Sequence, residues 1–142
     1  MSAFLLDTVT LSEFRKIKRI DPEVDAWQRR HVKDEMWLSV ISALEIRVGI
    51  HRVHDRDPEF AGQLDDWLIN TVLPDFRHRT LGIDTETALQ AAEYRAVHGL
   101  CPNDSLIAAT ARVHGLILAT RNTGDFQSTG IQLVNPWEHP ME

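Results

Sequence analysis

Four carboxylates stand where an α/β chain places its chemistry. Asp7 follows the apolar run Phe4-Leu5-Leu6, and Glu45 lies within the stretch from Ile41 to Val53. Asp104 opens the segment Pro102-Asn103-Asp104-Ser105-Leu106-Ile107-Ala108-Ala109-Thr110-Ala111, and Asp125 follows the apolar run that starts at Leu116. Taken singly, three have ordinary readings: Asp7 as an N-cap, Asp104 at the positive end of a helix, Asp125 in a turn after Gly124. Glu45 differs, because Ile41, Leu44, Glu45 and Val48 fall on one helical face and set a carboxylate on an apolar stripe. A buried ionised carboxylate needs a partner, either an arginine such as Arg47 or Arg121 or a metal ion.

If the four acids converge, each pair of like charges ~4 Å apart repels by on the order of 4 kcal/mol at an effective dielectric of ~20. A hard divalent cation removes that repulsion, and all-oxygen ligands select Mg²⁺ or Mn²⁺ over zinc. The chemistry that suits such a site is phosphodiester hydrolysis by metal-activated water. In this reading Asp7 and Asp104 are direct ligands, Glu45 is a ligand or water-orienting base, and Asp125 is a second-metal or outer ligand. Thr8 and Thr120 are placed to hydrogen-bond the acids.

The elements that must position these residues follow from hydrophobic spacing. Ala3 to Leu6 reads as a strand, and Leu11, Phe14 and Ile17 recur at helical spacing after it. Asp21-Pro22 marks a cap and first-turn proline for a helix to about Arg30. Trp37 to Val40 reads as a second strand, Ser42 as a cap, and Ala43 to Val53 as a helix. Asp57-Pro58 opens a helix to about Val72, which Pro74 ends. Arg79 to Ile83 is a third strand, Asp84 caps a helix from Thr85 to His98, and the Pro102 to His114 helix stops at Gly115 before the strand Leu116 to Thr120. This alternation predicts a mostly parallel sheet covered on both faces, with ligands bound outside the carboxyl ends of its strands. Asp7 and Asp125 fall on that rim.

With 142 residues the chain suits one domain, 1–142, and no repeat or linker-like block divides it. The apolar start is short and lacks a basic n-region, so a cytosolic protein is expected. The single cysteine, Cys101, is expected to be an inert core thiol. A net charge of −6 fits poorly with a nucleic-acid binder. Coordinating carboxylates would account for part of it, and Arg15, Lys16, Lys18 and Arg19 form a local basic cluster. Trp27, Trp37, Trp67 and Trp137 exceed what one small core usually needs, which points to an interface.

Five ordered blocks resemble one family. They are Leu5-Leu6-Asp7-Thr8 with Leu11-Ser12-Glu13, Ser42 to Ile50, Asn103 to Ala111, Thr120-Arg121-Asn122 with Asp125-Phe126, and Asn135-Pro136-Trp137. Together they resemble the PIN-domain ribonucleases, most closely the VapC/FitB-type toxins of toxin–antitoxin pairs, over essentially the whole chain. The resemblance implies a three-layer α/β/α fold, Mg²⁺- or Mn²⁺-dependent endoribonuclease activity, homodimerisation, and inhibition by a small antitoxin covering the active site. It carries over Asp7, Glu45, Asp104 and Asp125 as the acids. Val9 stands where the family commonly has asparagine. An RNA substrate, transfer RNA by family analogy, would be met by Arg15, Lys16, Arg47 and Arg121.

Other readings are weaker. Receiver domains and phospho-aspartate phosphatases use a lysine late in the chain, whereas the lysines here are Lys16, Lys18 and Lys33. Neither a Gly-x-Gly-x-x-Gly turn nor a P-loop occurs. His51 and His54 lie three apart on a helix but lack a third ligand for zinc. The rival from a different class is a catalytically weak PIN-like module that acts in an antitoxin and DNA-binding repressor complex.

Overall fold

Phe4, Leu5 and Leu6 are all buried, so the first strand, β1 (Phe4–Leu6), has no solvent face. A strand of that kind belongs in the middle of a sheet covered on both sides. The computed structural model, which describes residues 2–139, places it there. The other strands are β2 (Met36–Ser39), β3 (Thr80–Leu81), β4 (Ile117–Ala119) and β5 (Leu133–Val134). All pair in parallel, in the order β3-β2-β1-β4-β5, with Phe4 opposite Met36 on one side and Ile117 on the other.

The period-two alternation of β1 divides the core into two layers. Phe4 and Leu6 pack with Leu11 of α1 (Thr8–Phe14), Trp27 of α2 (Pro22–Arg29), Ile46 and Ile50 of α3 (Val40–His54), and Ala61 of α4 (Pro58–Trp67). Leu5 packs instead with Ala91 and Tyr94 of α6 (Thr85–Ala96) and with Ile107 and Ala108 of α7 (Pro102–His114). The result is a three-layer α/β/α fold. The chain leaves β1 toward β2 on one side and reaches β4 on the other, so the strand order reverses beside the carboxyl ends of β1 and β4. A parallel sheet opens its binding crevice at such a point.

Several boundaries differ from the sequence reading for local reasons. Ser39, not Ser42, caps α3, its hydroxyl accepting the Ile41 N–H at 3.0 Å. Val40, read as strand, is the first helical residue, because that cap turns the chain immediately after β2. Pro74 does not end the helix that begins at Pro58. The backbone widens to π pitch over Leu68–Val72 and continues into α5 (Leu73–Asp75), which keeps the proline ring from the carbonyl four residues back. Cys101 is exposed rather than buried, since it is the cap residue outside α7 while Leu100 takes the core position. Trp27 is core, Trp37 and Trp67 pack half-buried against the two layers, and Trp137 is half-buried near the C-terminus. Among the described residues, no helix is long and apolar enough to cross a membrane.

Candidate active site

Asp7 sits one residue past β1 and caps α1, its Oδ1 accepting the Thr10 N–H at 2.8 Å. The Thr10 hydroxyl donates to the Ala119 carbonyl at 2.9 Å, and the Asp7 N–H donates to the same carbonyl at 3.1 Å. These bonds hold the carboxylate at the junction of β1 and β4. Burial raises the Asp7 pKa above its usual value. The Thr120 hydroxyl and the Thr10 bonds oppose that rise, and the charge of Glu45 adds to it.

Glu45 is half-buried on α3. Its Oε1 accepts the Thr8 hydroxyl at 2.5 Å and its Oε2 accepts the Asn103 amide at 3.4 Å. The apolar stripe inferred around it is not a core stripe. Leu44 and Val48 are 49% and 37% exposed, while Ile41, Ser42, Ile46 and Ile50 form the buried face. Glu45 therefore lies at the edge between core and solvent, where a carboxylate can receive a ligand.

Asp104 lies in the first turn of α7 and is half-buried. Its pKa is raised by burial first, then by the charges of Glu45, Asp7 and Asp125. That dependence places all four acids within one electrostatic neighbourhood. Asp125 is the most open of them, exposed in the one-turn helix α8 (Thr123–Phe126) after β4.

Thr8 and Thr120 both bond acids, with a division of labour the sequence did not specify: Thr8 serves Glu45, and the fully buried Thr120 serves Asp7. Two further polar residues escaped the sequence reading. Asn103 reaches Glu45, and Ser42, buried three residues before Glu45 on α3, has its hydroxyl 3.0 Å from that of Thr8. Their signals were proximity to Asp104 and an i, i+3 placement relative to Glu45.

The four basic residues divide as well. Arg47 pairs with Asp65 at 2.6 Å, and the Arg15 guanidinium lies over the Phe60 ring, so both are engaged toward α4. Lys16, paired with Glu13 at 3.0 Å, and the exposed Arg121 border a cleft that begins at Thr8. Among the described residues no Lys, Arg or His forms an ion pair with Asp7, Glu45, Asp104 or Asp125. Of the arginine partners considered for Glu45, Arg47 is thus committed to Asp65, and Arg121 does not pair with it.

The donor set is all oxygen apart from the Asn103 amide, and its like charges lack a neutralising side chain, which suits a hard divalent cation in kind. Among the described residues no three His, Cys, Asp or Glu side chains are arranged to close on one ion. That is compatible with Mg²⁺, which keeps several waters and commonly takes only one or two carboxylates together with substrate phosphate.

A reversal of strand order with acids along its carboxyl edge defines a class, and comparison of the chain with known families identifies it. The PIN domain model matches residues 4–131, and the chain belongs to the PIN-domain family. Among its relatives, Toxin FitB of Neisseria gonorrhoeae is 33% identical over 138 residues, covering 94% of this chain and 97% of that protein. The VapC ribonuclease Y4jK of Sinorhizobium fredii is likewise 33% identical, over 143 residues, covering 94% of this chain and 97% of that protein. Among solved structures, FitAcB from Neisseria gonorrhoeae aligns with a TM-score of 0.83 at 32% identity, covering 95% of this chain and 99% of that one. FitAB bound to the IR36 DNA fragment aligns at 0.84 and 30% identity, covering 98% and 99%.

Proposed function

We propose that the protein is a Mg²⁺- or Mn²⁺-dependent endoribonuclease toxin of a toxin–antitoxin pair, acting as one domain over residues 1–142 in the cytoplasm. The observation that carries this reading is the grouping of the acids: Glu45, Asp7 and Asp125 all act on Asp104, with no cationic side chain among the described residues paired to any of the four. A purely binding surface has no use for that arrangement. The likeness to a VapC ribonuclease supports RNA as the substrate.

Asp7 and Asp104 would hold the cation, with Asp125 as a second-metal or outer ligand and Glu45 as the base beside it. When bound, it supplies Lewis acidity toward water and toward the phosphoryl oxygens. The protein's own part is positioning. Thr8 donates to Oε1 of Glu45, leaving Oε2, which has only the long 3.4 Å contact from Asn103, to orient the attacking water and accept its proton. Thr120 and the Thr10 N–H fix the Asp7 carboxylate.

The likeness to a toxin–antitoxin complex from Klebsiella pneumoniae, 28% identical with a TM-score of 0.68, supports an antitoxin as partner. The exposed row Val40, Leu44 and Val48 on α3 offers apolar surface for a protein partner or a second copy in a homodimer. The alternative, a catalytically weak module within a DNA-binding repressor complex, draws on the likeness to FitAB on DNA. With a net charge of −6 this chain would leave the DNA contacts to its partner.

Incubating the purified chain with total RNA and Mg²⁺, beside Asp7→Asn, separates the readings. Cleavage by the parent and its loss in Asp7→Asn is expected; equal or absent cleavage in both overturns the enzyme.

A further inference from the structure

The cleft beside the acids has an unusual wall. About 230 Å³ in volume, it is lined by Thr8, Ser12, Arg121, Trp137 and the Glu13–Lys16 ion pair among others. The exposed Arg121 guanidinium lies over the half-buried Trp137 indole, 5.2 Å from the ring centroid. Asn135 ties the two segments together: its amide donates to the Arg121 carbonyl at 3.4 Å, and its Oδ1 accepts the Trp137 N–H at 2.9 Å. The arginine, which follows β4, is thus presented on an aromatic support built after β5.

Both walls of this cleft are linked to the acids. Thr8 donates to Glu45, and Arg121 directly follows Thr120, whose hydroxyl bonds Asp7. The recess is smaller than the ~300–1,000 Å³ of a typical small-molecule site and suits one flat group rather than a whole ligand. Guanidinium planes and indoles are surfaces on which unpaired bases stack. Lys16 is neutralised by Glu13, whereas the exposed Arg121 has no ion pair among the described residues and keeps its charge for a phosphate beside the base.

We propose that Arg121 and Trp137 form a platform for a single unpaired nucleobase next to the scissile phosphate. This rests on the RNA reading above and adds to it which residues hold the base beside the cut. The platform is a positioning device that acts on substrate binding.

The test uses the Asp7→Asn chain, chosen so that RNA is not consumed, and two fluorescent probes: a short oligoadenylate and an abasic ribose-phosphate oligomer of equal length. Trp137→Ala and, separately, Arg121→Ala are each expected to weaken oligoadenylate binding on the order of ten- to a hundredfold. Trp137→Ala should leave the abasic oligomer's affinity unchanged, and Trp137→Phe should restore most of the loss. In the active chain, Trp137→Phe should raise KM modestly with kcat preserved. Unchanged oligoadenylate affinity in both alanine variants overturns the platform, as does equal loss of both probes in Trp137→Ala or no RNA binding at all. RNA affinity unchanged while a partner polypeptide binds more weakly would overturn it in favour of protein docking. Parent cleavage persisting through those failures leaves the nuclease reading intact. Base-dependent binding without parent cleavage would retain the platform and remove the nuclease.

Discussion

Helix α1 carries a buried carboxylate at each end, and the two are treated in opposite ways. Asp7 and Glu13 are 7% and 8% exposed, so burial alone does not distinguish them. Burial pushes the Glu13 carboxyl up, but the Asp21 N–H at 2.8 Å and Lys16 at 3.0 Å outweigh it and hold the pKa below its usual value. At Asp7 burial wins. Hydrogen bonds from Thr10 and Thr120 compensate only in part, and Glu45 adds repulsion. A structural acid is neutralised by its own chain; an acid left under-compensated beside three others is poised for a ligand the chain lacks.

Catalysis should break the symmetry most sharply. With Mg²⁺ and RNA, Asp7→Asn is expected to slow cleavage on the order of a hundredfold or more. A loss within about tenfold in single-turnover assays would remove Asp7 from the ligand set.

Stability should separate the same pair with opposite signs. In EDTA, Glu13→Ala strands the Asp21 N–H and frees Lys16, and is expected to lose about 1–3 kcal/mol in urea melts. Asp7→Asn removes a costly buried charge while keeping an acceptor for Thr10, and should gain on the order of 1 kcal/mol, a few degrees in Tm. Added Mg²⁺ should then raise the Tm of the parent and of Glu13→Ala but not of Asp7→Asn, since a ligand stabilises by about 2.7 kcal/mol at a hundred times its Kd. Loss of stability by both variants in EDTA would refute the contrast.

Acid titration sharpens it further. The raised pKa values of Asp7 and Asp104 mean that the cation-free protein binds these protons more readily folded than unfolded. Their contribution is favourable below the ordinary 3.8 and is lost as pH rises through the raised values. Glu13 acts oppositely: its stabilisation is present above the ordinary 4.5 and disappears as pH falls through its lowered value. In EDTA melts against pH, the difference between parent and Asp7→Asn should therefore shrink on acidification, and the difference between parent and Glu13→Ala should shrink only at lower pH. Mg²⁺ affinity should weaken already at the higher of the two ranges, because protons compete for Asp7 and Asp104.

How far the sequence reveals this contrast depends on which forces act locally. Phe4-Leu5-Leu6, the Asp21-Pro22 and Asp84 caps and the Gly115 stop are short-range signals, and each element they mark is present. Residue type and order singled out Asp7, Glu45, Asp104 and Asp125, and in the structure the charges of Glu45, Asp7 and Asp125 all bear on Asp104. The environment of Glu45 was not legible, because Leu44 and Val48 look like core residues until α4 is seen to cover the Ile46 and Ile50 face instead. The engagements of Arg15 and Arg47 toward α4 were hidden for the same reason: Phe60 and Asp65 come into reach only through tertiary packing. Glu13 illustrates the general limit, since nothing in Leu11-Ser12-Glu13 announces that the Asp21 N–H will satisfy it.

The smallest expected effect concerns the two bonds that aim Glu45. Thr8 donates at 2.5 Å to Oε1, whereas Asn103 stands 3.4 Å from Oε2, at the weak end of the range for a hydrogen bond. A bond to a charged group contributes about 1.5–3 kcal/mol when well formed, so Thr8→Val should lower kcat by roughly ten- to a hundredfold. Asn103→Ala should cost only a few-fold, because Oε2 is the oxygen left free to take the proton and needs no permanent donor. Equal losses in kcat would mean that Oε2 is held for a ligand rather than kept open, and would make Glu45 resemble Asp7 in role instead of acting as the base beside it.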